Sequence, residues 1–228
     1  MTTVNLDNNT SQHFARVANQ KGALRKYGKD EGGTFTLSSG RKSKWRFDIT
    51  KMCDYDGLCA MEQGIADLIG VAGHLGGVHT IIGLPYSGIQ LSVLAYKHAI
   101  MRGFDKNYIC YGYMKKEVMT TKANKHANLE DLVVGGVRPR SWPDSYVEPP
   151  IIFVDDVLTT GGTAVQAVKH FYDSKKPRML AVLLDRQEQV SKKDTRLASE
   201  MLEEDHDLRV ISLTTPKHFG DLPTEEQK

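Results

Sequence analysis

The segment Ile151-Ile152-Phe153-Val154-Asp155-Asp156-Val157-Leu158-Thr159-Thr160-Gly161-Gly162-Thr163 constrains the chain more than any other. Its apolar start, Ile151–Val154, suits a strand covered on both faces, as in a parallel sheet. The Thr/Gly stretch that follows leads into a helical pattern, so strand, loop and helix succeed one another as in a strand–helix–strand unit. Four more short apolar runs share this character: Thr80–Leu84, Tyr108–Tyr111, Met179–Leu184 and Val210–Leu213. Helical stretches separate them, running from Pro85-Tyr86-Ser87-Gly88 through His98, from the Thr/Gly loop through Tyr172, and over Lys192–Glu204. The expected fold class is therefore α/β, with a central, mainly parallel five-stranded sheet flanked by helices.

Upstream, Gln12–Lys26 has Phe14, Val17, Ala18 and Leu24 at roughly helical spacing, and Gly28–Gly33 breaks it. Phe35–Phe47 reads as a short hairpin or extended segment. Leu58–Leu68 is helical, with Ala60, Met61, Ile65 and Leu68 recurring at steps of three and four. Met1–Ser11 is polar and expected to be mobile. Tyr113–Pro150 is long, polar and rich in Lys, Asn and Pro, which marks a functional or disordered loop.

Composition excludes several classes. Lys+Arg 30 against Asp+Glu 28 leaves a net charge of +2, so the protein as a whole is no polyelectrolyte binder, and no nucleic acid is expected. Ile81–Ile100 is interrupted by Pro85, Ser87, Gln90, Lys97 and His98, too polar for a membrane span. Met1–Thr10 lacks the apolar stretch of a secretory signal. Cys53, Cys59 and Cys110 have no zinc or disulfide spacing and fit a reducing compartment. A cytoplasmic protein is expected.

Asp155 and Asp156 stand where ligands bind in open α/β sheets, beyond the carboxyl end of a strand. The first N–H groups of the next helix lack partners and carry partial positive charge, which suits a phosphate. Gly161 and Gly162 allow close backbone approach, and Thr159, Thr160 and Thr163 add hydroxyl donors. No Gly-Lys-Ser/Thr follows, so this is not a Walker A loop. Paired carboxylates can accept from two neighbouring sugar hydroxyls while the loop holds a phosphate one ribose away. Together they describe a ribose 5-phosphate.

These residues resemble the signature of the type I phosphoribosyltransferases, which bind phosphoribosyl pyrophosphate (PRPP). Further segments resemble the orotate phosphoribosyltransferases. Phe35-Thr36-Leu37-Ser38-Ser39-Gly40-Arg41-Lys42-Ser43 resembles "FTLKSGRKS", Gly83–Ile89 resembles the pyrophosphate loop "GPAYKGI", and Leu184-Asp185-Arg186-Gln187-Glu188 resembles "LDRQE". Lys115-Lys116-Glu117, with Lys122, Lys125 and His126, resembles the family's mobile catalytic loop. Ser38 and Ser87 stand where the family motifs have lysine, and Lys115 where arginine is usual.

The resemblance implies one phosphoribosyltransferase domain over 1–228. Its hood is mainly 12–52, its PRPP-binding core about 53–215, and its mobile loop about 113–136. It implies transfer of the 5-phosphoribosyl group of PRPP to orotate, giving orotidine 5-phosphate and pyrophosphate. Asp155 and Asp156 would hold the ribose hydroxyls. Val157, Leu158, Thr159, Thr160, Gly161, Gly162 and Thr163 would hold the 5-phosphate, and Tyr86, Ser87 and Gly88 the pyrophosphate. Lys115 and Lys116 would also contact PRPP. Lys116, Lys122, Lys125 and His126 would serve catalysis. Orotate is a flat anion bearing a carboxylate, so Arg186 could fork onto it, Phe47 cover its ring and Thr159 contact its edge. The implied cofactor is Mg2+, held mainly through PRPP, with Asp155 and Asp156 as candidate ligands. A homodimer sharing the mobile loop is implied as well. Two alternatives stay open: a phosphoribosyltransferase for another base, and a PRPP-binding regulatory protein without turnover.

Overall fold

A computed structural model describes residues 4–6, 8–27, 33–37, 40–76, 80–104, 106, 109–116, 132–135, 150–171, 176–220 and 222. All five expected strands form: β6 (Thr80–Gly83), β7 (Cys110–Met114), β9 (Ile151–Leu158), β10 (Met179–Asp185) and β11 (Arg209–Thr214). The sheet nevertheless has seven strands, in the order β1-β11-β10-β9-β6-β7-β8. The two additions lie at its edges. β1 (Val4–Asn5) pairs in parallel with β11, and Leu6 N donates to Ser212 O at 2.8 Å, so this part of the polar N-terminal segment is ordered. β8 (Val133–Gly135) runs antiparallel to β7. Two- and three-residue edge strands have too little periodicity to stand out in a polar sequence. β7 and β8 also claim both ends of the expected mobile loop, whose stretch between them begins at Lys115 and ends at Leu132.

Helix boundaries move for local reasons. α1 (Asn9–Gln20) starts earlier than the apolar pattern suggests, because the Asn8 side chain accepts from Ser11 N at 2.9 Å. It stops before Leu24, which belongs to β2 (Leu24–Lys26); Gly22, at φ +67, makes that turn. α2 (Tyr55–Gly76) extends well past Leu58–Leu68 in both directions. α4 (Gly162–Val168) ends before Tyr172. The charged stretch from Lys192 is not helical until α5 (Ala198–His206), because Arg196 instead bonds Asp194, Glu204 and Asp205 and pins an irregular turn.

The sheet is covered on both faces, as the continuous apolar strands require. One face packs α1, α2, α3 (Ser87–Met101) and the N-terminal aromatics around Phe14, Met61, Leu68, Ile152, Val154 and Leu213. The other packs α4 and α5 around Phe153, Phe171, Val182 and Leu202. Within 12–52, the segment expected to form a hood, α1 packs on the sheet and two small antiparallel pairs form. β2 pairs with β5 (Trp45–Phe47), and β3 (Phe35–Thr36) pairs with β4 (Lys42–Ser43). No helix among the described residues is long and apolar enough to cross a membrane.

Candidate active site

β9 is eight residues long, but β6 accompanies it only as far as Val154, opposite Gly83. Beyond that point the strands part, and the chain after β6 turns through Pro85-Tyr86-Ser87-Gly88 against the exposed end of β9. Two glycines permit this. A Cβ on Gly83 would come within 2.2 Å of Gly88 O, and a Cβ on Gly88 within 2.3 Å of Val154 O. The turn therefore lies directly beside Asp155 and Asp156.

The acidic pair is half-buried. Burial raises the Asp155 pKa well above the usual carboxylate range, and the neighbouring Asp156 charge raises it further. Asp155 Oδ1 accepts from Asp156 N at 2.9 Å. Burial also raises Asp156, opposed by hydrogen bonds from Asp155 and the Ser87 hydroxyl. The Ser87 side chain thus reaches the acidic pair directly, a contact between two sequence motifs that neither motif announces. The two carboxyls compete for charge in the free protein. Ribose hydroxyls or a cation would relieve that competition.

The Thr/Gly loop continues from β9. Gly161 is left-handed at φ +77, a conformation that favours glycine, and a Cβ there would stand 3.1 Å from Met201 Cε. Val165 N donates back to Gly161 O at 2.9 Å, which starts α4 and leaves the preceding backbone donors of Gly162, Thr163 and Ala164 at the first turn. Thr159 and Thr160 are half-buried, and Gly162 and Thr163 are exposed to a ligand. Val157 and Leu158 contribute backbone, since Val157 pairs with Leu184 and the Leu158 side chain is core.

One strand over, β10 ends at Asp185, and Arg186 follows it. Arg186 N donates to Leu158 O at 3.0 Å, tying it to the start of the Thr/Gly loop. Its side chain is only 1% exposed and turns into the hood. Nε donates to Glu188 Oε1, Nη2 to Ser43 Oγ at 2.9 Å and Nη1 to Trp45 O at 3.3 Å. The guanidinium also lies 3.5 Å from the centroid of the Trp45 ring. Arg186 is thus a clasp between core and hood in the free protein. Phe47 is half-buried within an aromatic cluster, 6.1 Å from Phe14 and 6.2 Å from Phe219 between ring centroids.

Lys115 and Lys116 follow β7. Lys116 is exposed, and its Nζ lies 5.1 Å above the ring of Tyr86, itself 66% exposed. A loop cation and the turn beside Asp155 therefore already touch. Lys122, Lys125, His126 and Ser38 lie outside the described residues. Trp45 did not stand out in the sequence, and Asp185 and Glu188 did so only as members of the Leu184–Glu188 motif, without a role of their own. Trp45 could have been noticed as one of only two tryptophans, at the end of a motif. Burial pushes Asp185 up to about 6, partly offset by hydrogen bonds from Gln187 N and Ser199.

No protein-family model matches the chain. Orotate phosphoribosyltransferase of Acinetobacter baylyi is 30% identical over 179 residues, covering 78% of this chain and 71% of that one. The enzyme of that name from Schizosaccharomyces pombe is 28% identical over 187 residues, covering 80% and 77%. The chain belongs to the orotate phosphoribosyltransferase family. Its fold agrees: the crystal structure of the Francisella tularensis orotate phosphoribosyltransferase superposes with a TM-score of 0.60 over 89% of this chain and 85% of that one, at 22% identity. The phosphoribosyltransferase fold expected from the Asp-Asp and Thr/Gly signature is the fold observed, with seven sheet strands rather than five.

A divalent metal can be tested against these residues. Two adjacent half-buried carboxyls, each disfavoured as an anion by burial, are groups whose charge a cation would stabilise. No cluster of three or more His, Cys, Asp or Glu that could hold a metal occurs among the described residues. A hard cation here would need most of its oxygens from the ligand, as Mg2+ does when it binds with phosphates.

Proposed function

We propose that the protein transfers the 5-phosphoribosyl group of PRPP to orotate, releasing pyrophosphate and orotidine 5-phosphate, a step in making pyrimidine nucleotides. The observation that carries this is the acidic pair at the end of β9, running directly into the Thr/Gly loop, in a chain 30% identical to an orotate phosphoribosyltransferase. The bond between ribose C1 and the pyrophosphate oxygen breaks as a ring nitrogen of orotate bonds to C1. Positive charge builds on the ribose ring, and Asp155 and Asp156 both orient its hydroxyls and favour that charge. The loop from Val157 to Thr163 anchors the 5-phosphate through backbone N–H groups and threonine hydroxyls. Tyr86, Ser87 and Gly88 meet the pyrophosphate with their backbone.

Lys115, Lys116, Lys122, Lys125 and His126 neutralise the leaving group and help exclude water, which would otherwise hydrolyse PRPP. The Lys116–Tyr86 contact supports this, because it brings one loop cation to the pyrophosphate turn. Arg186 takes the acceptor's carboxylate, Phe47 its ring and Thr159 its edge. For Arg186 this requires exchanging a hood partner for the base, and its place beside Leu158 supports the assignment. Asp155 and Asp156 are the candidate protein ligands that would help hold Mg2+, bound mainly through PRPP, and the ion would supply charge neutralisation for the leaving pyrophosphate.

The chain acts as one cytoplasmic phosphoribosyltransferase domain, with a hood over 12–52, a core over 53–215 and a catalytic loop within 113–136. It acts as a homodimer sharing that loop. Exposed Tyr55 and Leu58 on α2 and Val93 and Met101 on α3 support an apolar contact surface.

A second acceptor has one observation in its favour: Ser87 is neutral and spends its hydroxyl on Asp156. The deciding assay follows PRPP consumption with Mg2+ against orotate, uracil, purines and nicotinamide. Orotate should be preferred by orders of magnitude. Preference for another base moves the acceptor and keeps the donor, whereas PRPP binding without turnover of any base points to the regulatory alternative.

A further inference from the structure

Among the described residues, two that are not glycine are left-handed, Gln187 and Asp207, both at φ +55. Asp207 closes α5, where a left-handed residue is common. Gln187 closes no helix. It stands between Arg186 and Glu188, in the segment that leaves the end of β10. A left-handed backbone disfavours residues that carry a Cβ, so a local contact must hold it.

Asp185 supplies that contact. Its Oδ1 accepts from Gln187 N at 2.8 Å, a side-chain bond to the backbone two residues on. Asp185 is 1% exposed, and burial pushes its carboxyl up to about 6, opposed by the bonds from Gln187 N and Ser199. A buried carboxyl adds no packing that an apolar side chain would lack. What it adds here is hydrogen bonding, and one of those bonds fixes Gln187.

Fixing Gln187 fixes its neighbours. Arg186 N donates to Leu158 O at 3.0 Å, and Ala198 N donates to Glu188 O at 3.0 Å. The segment is thus tied to β9 on one side and to the first turn of α5 on the other, with Gln187 joining the two ties. The Gln187 side chain is exposed, whereas Arg186 and Glu188 are buried and bonded to each other, Glu188 Oε1 accepting from Arg186 Nε. From that position the guanidinium reaches Ser43 and Trp45. A different backbone at Gln187 would turn Glu188 away from Arg186 and change the direction of the guanidinium.

We propose that Asp185 is a positioning residue for the acceptor: by holding Gln187 in its left-handed turn, it sets the direction of Arg186, the residue assigned to the acceptor's carboxylate. This rests on orotate being the acceptor. Asp185, buried beside α5, acts through the turn and not on a substrate.

The test is steady-state kinetics of the full-length protein with PRPP, orotate and Mg2+ at pH 7.5. Asp185→Ala removes the acceptor for Gln187 N. It should raise KM for orotate about 10-fold, the effect of a small misplacement at one remove from the chemistry, and leave KM for PRPP near the wild-type value. Asp185→Asn keeps an acceptor oxygen and should keep most of the wild-type KM. Adding Gln187→Gly to Asp185→Ala should recover most of the loss, because glycine takes a left-handed turn without a partner. A carboxyl that served only to fill the core would gain nothing from glycine at an exposed position. An unchanged KM for orotate in Asp185→Ala, an equal rise in both KM values, or no recovery by Gln187→Gly would overturn the proposal. Should Asp185→Ala fail to fold, Gln187→Val decides alone, since a branched Cβ is strongly disfavoured in a left-handed turn. A rise confined to orotate supports the proposal, and no rise or a rise common to both substrates overturns it. Wild-type turnover of orotate separates the two claims. If it is absent, the proposed function fails and this inference with it. If it is present while these variants behave like wild type, only this inference fails.

Discussion

The ends of β9 and β10 are adjacent in the sheet and chemically opposite. β9 carries two carboxyls crowded together in its second half, both disfavoured as anions by burial. β10 ends at Asp185, and Arg186 just beyond it holds buried Glu188. Under the proposed function, the first takes the ribose of PRPP and the second the acceptor base. They are also built differently. The donor side is one continuous stretch, Asp155 to Thr163, in which strand, loop and helix start follow in order. The acceptor side joins a hood segment, 41–45, to a core segment, 186–188, across most of the chain. A site made from one segment keeps its geometry through local backbone, whereas one made from two depends on the packing between them.

The largest test of this contrast falls on β9. Asp155→Asn with Asp156→Asn should lower PRPP affinity by at least about 100-fold by calorimetry. Thermal stability at pH 7.5 should hold or rise, because both carboxyls resist ionisation when buried. PRPP binding at wild-type strength would remove these carboxyls from the donor site.

Arg186→Ala should act on both function and fold. It takes the hydrogen-bonded partner from buried Glu188, at a cost of about 3–5 kcal/mol in denaturant unfolding, and undocks Ser43 and Trp45. Combining it with Glu188→Gln should return part of that stability without returning orotate turnover. Recovered turnover in the double variant would show that Arg186 matters only as a clasp. The matching change on the donor side, Gly88→Ala, should push the pyrophosphate turn off Val154 O and raise KM for PRPP more than KM for orotate.

Asp185 offers a smaller effect of known sign. Its pKa in the folded protein is raised to about 6, so the native state favours the protonated form and loses stability as pH rises through that value. At about 1.4 kcal/mol per tenfold change in proton affinity, ionisation costs up to a few kcal/mol. Asp185→Asn should therefore raise the melting temperature at pH 7.5 and lose this advantage by pH 4. A gain that is the same at both values would point to a cause other than charge. The smallest effect is expected at Tyr86. Removing the ring in Tyr86→Ala takes away an exposed cation–π contact worth about 0.5–1 kcal/mol, and should raise KM for PRPP only a few-fold.

Much of this protein could be read directly from its residues. The five apolar strands, the helices between them and the Asp-Asp and Thr/Gly site depend on neighbours in sequence, and periodicity and turn chemistry report neighbours well. Gly161 and Gly162 were legible as residues of a close-approaching loop, while the left-handed turn at Gly161 came from the structure. The edge strands β1 and β8 were not legible, because two or three residues carry no period and their pairing comes from β11 and β7.

What the tertiary structure alone decided is who meets whom across the chain. Gly83 and Gly88 looked like loop glycines, yet a single methyl on either would collide with backbone, and their absent side chains bring Ser87 to Asp156. Arg186 looked like a base ligand at a strand end, but the hood closes over it, stacks Trp45 on it and brings Arg41 to the far side of Glu188. Hydrogen bonds and burial act over a few ångströms of space. A contact between residues 41 and 188 therefore leaves no local pattern, whereas Asp155 to Thr163 carries its chemistry in consecutive residues.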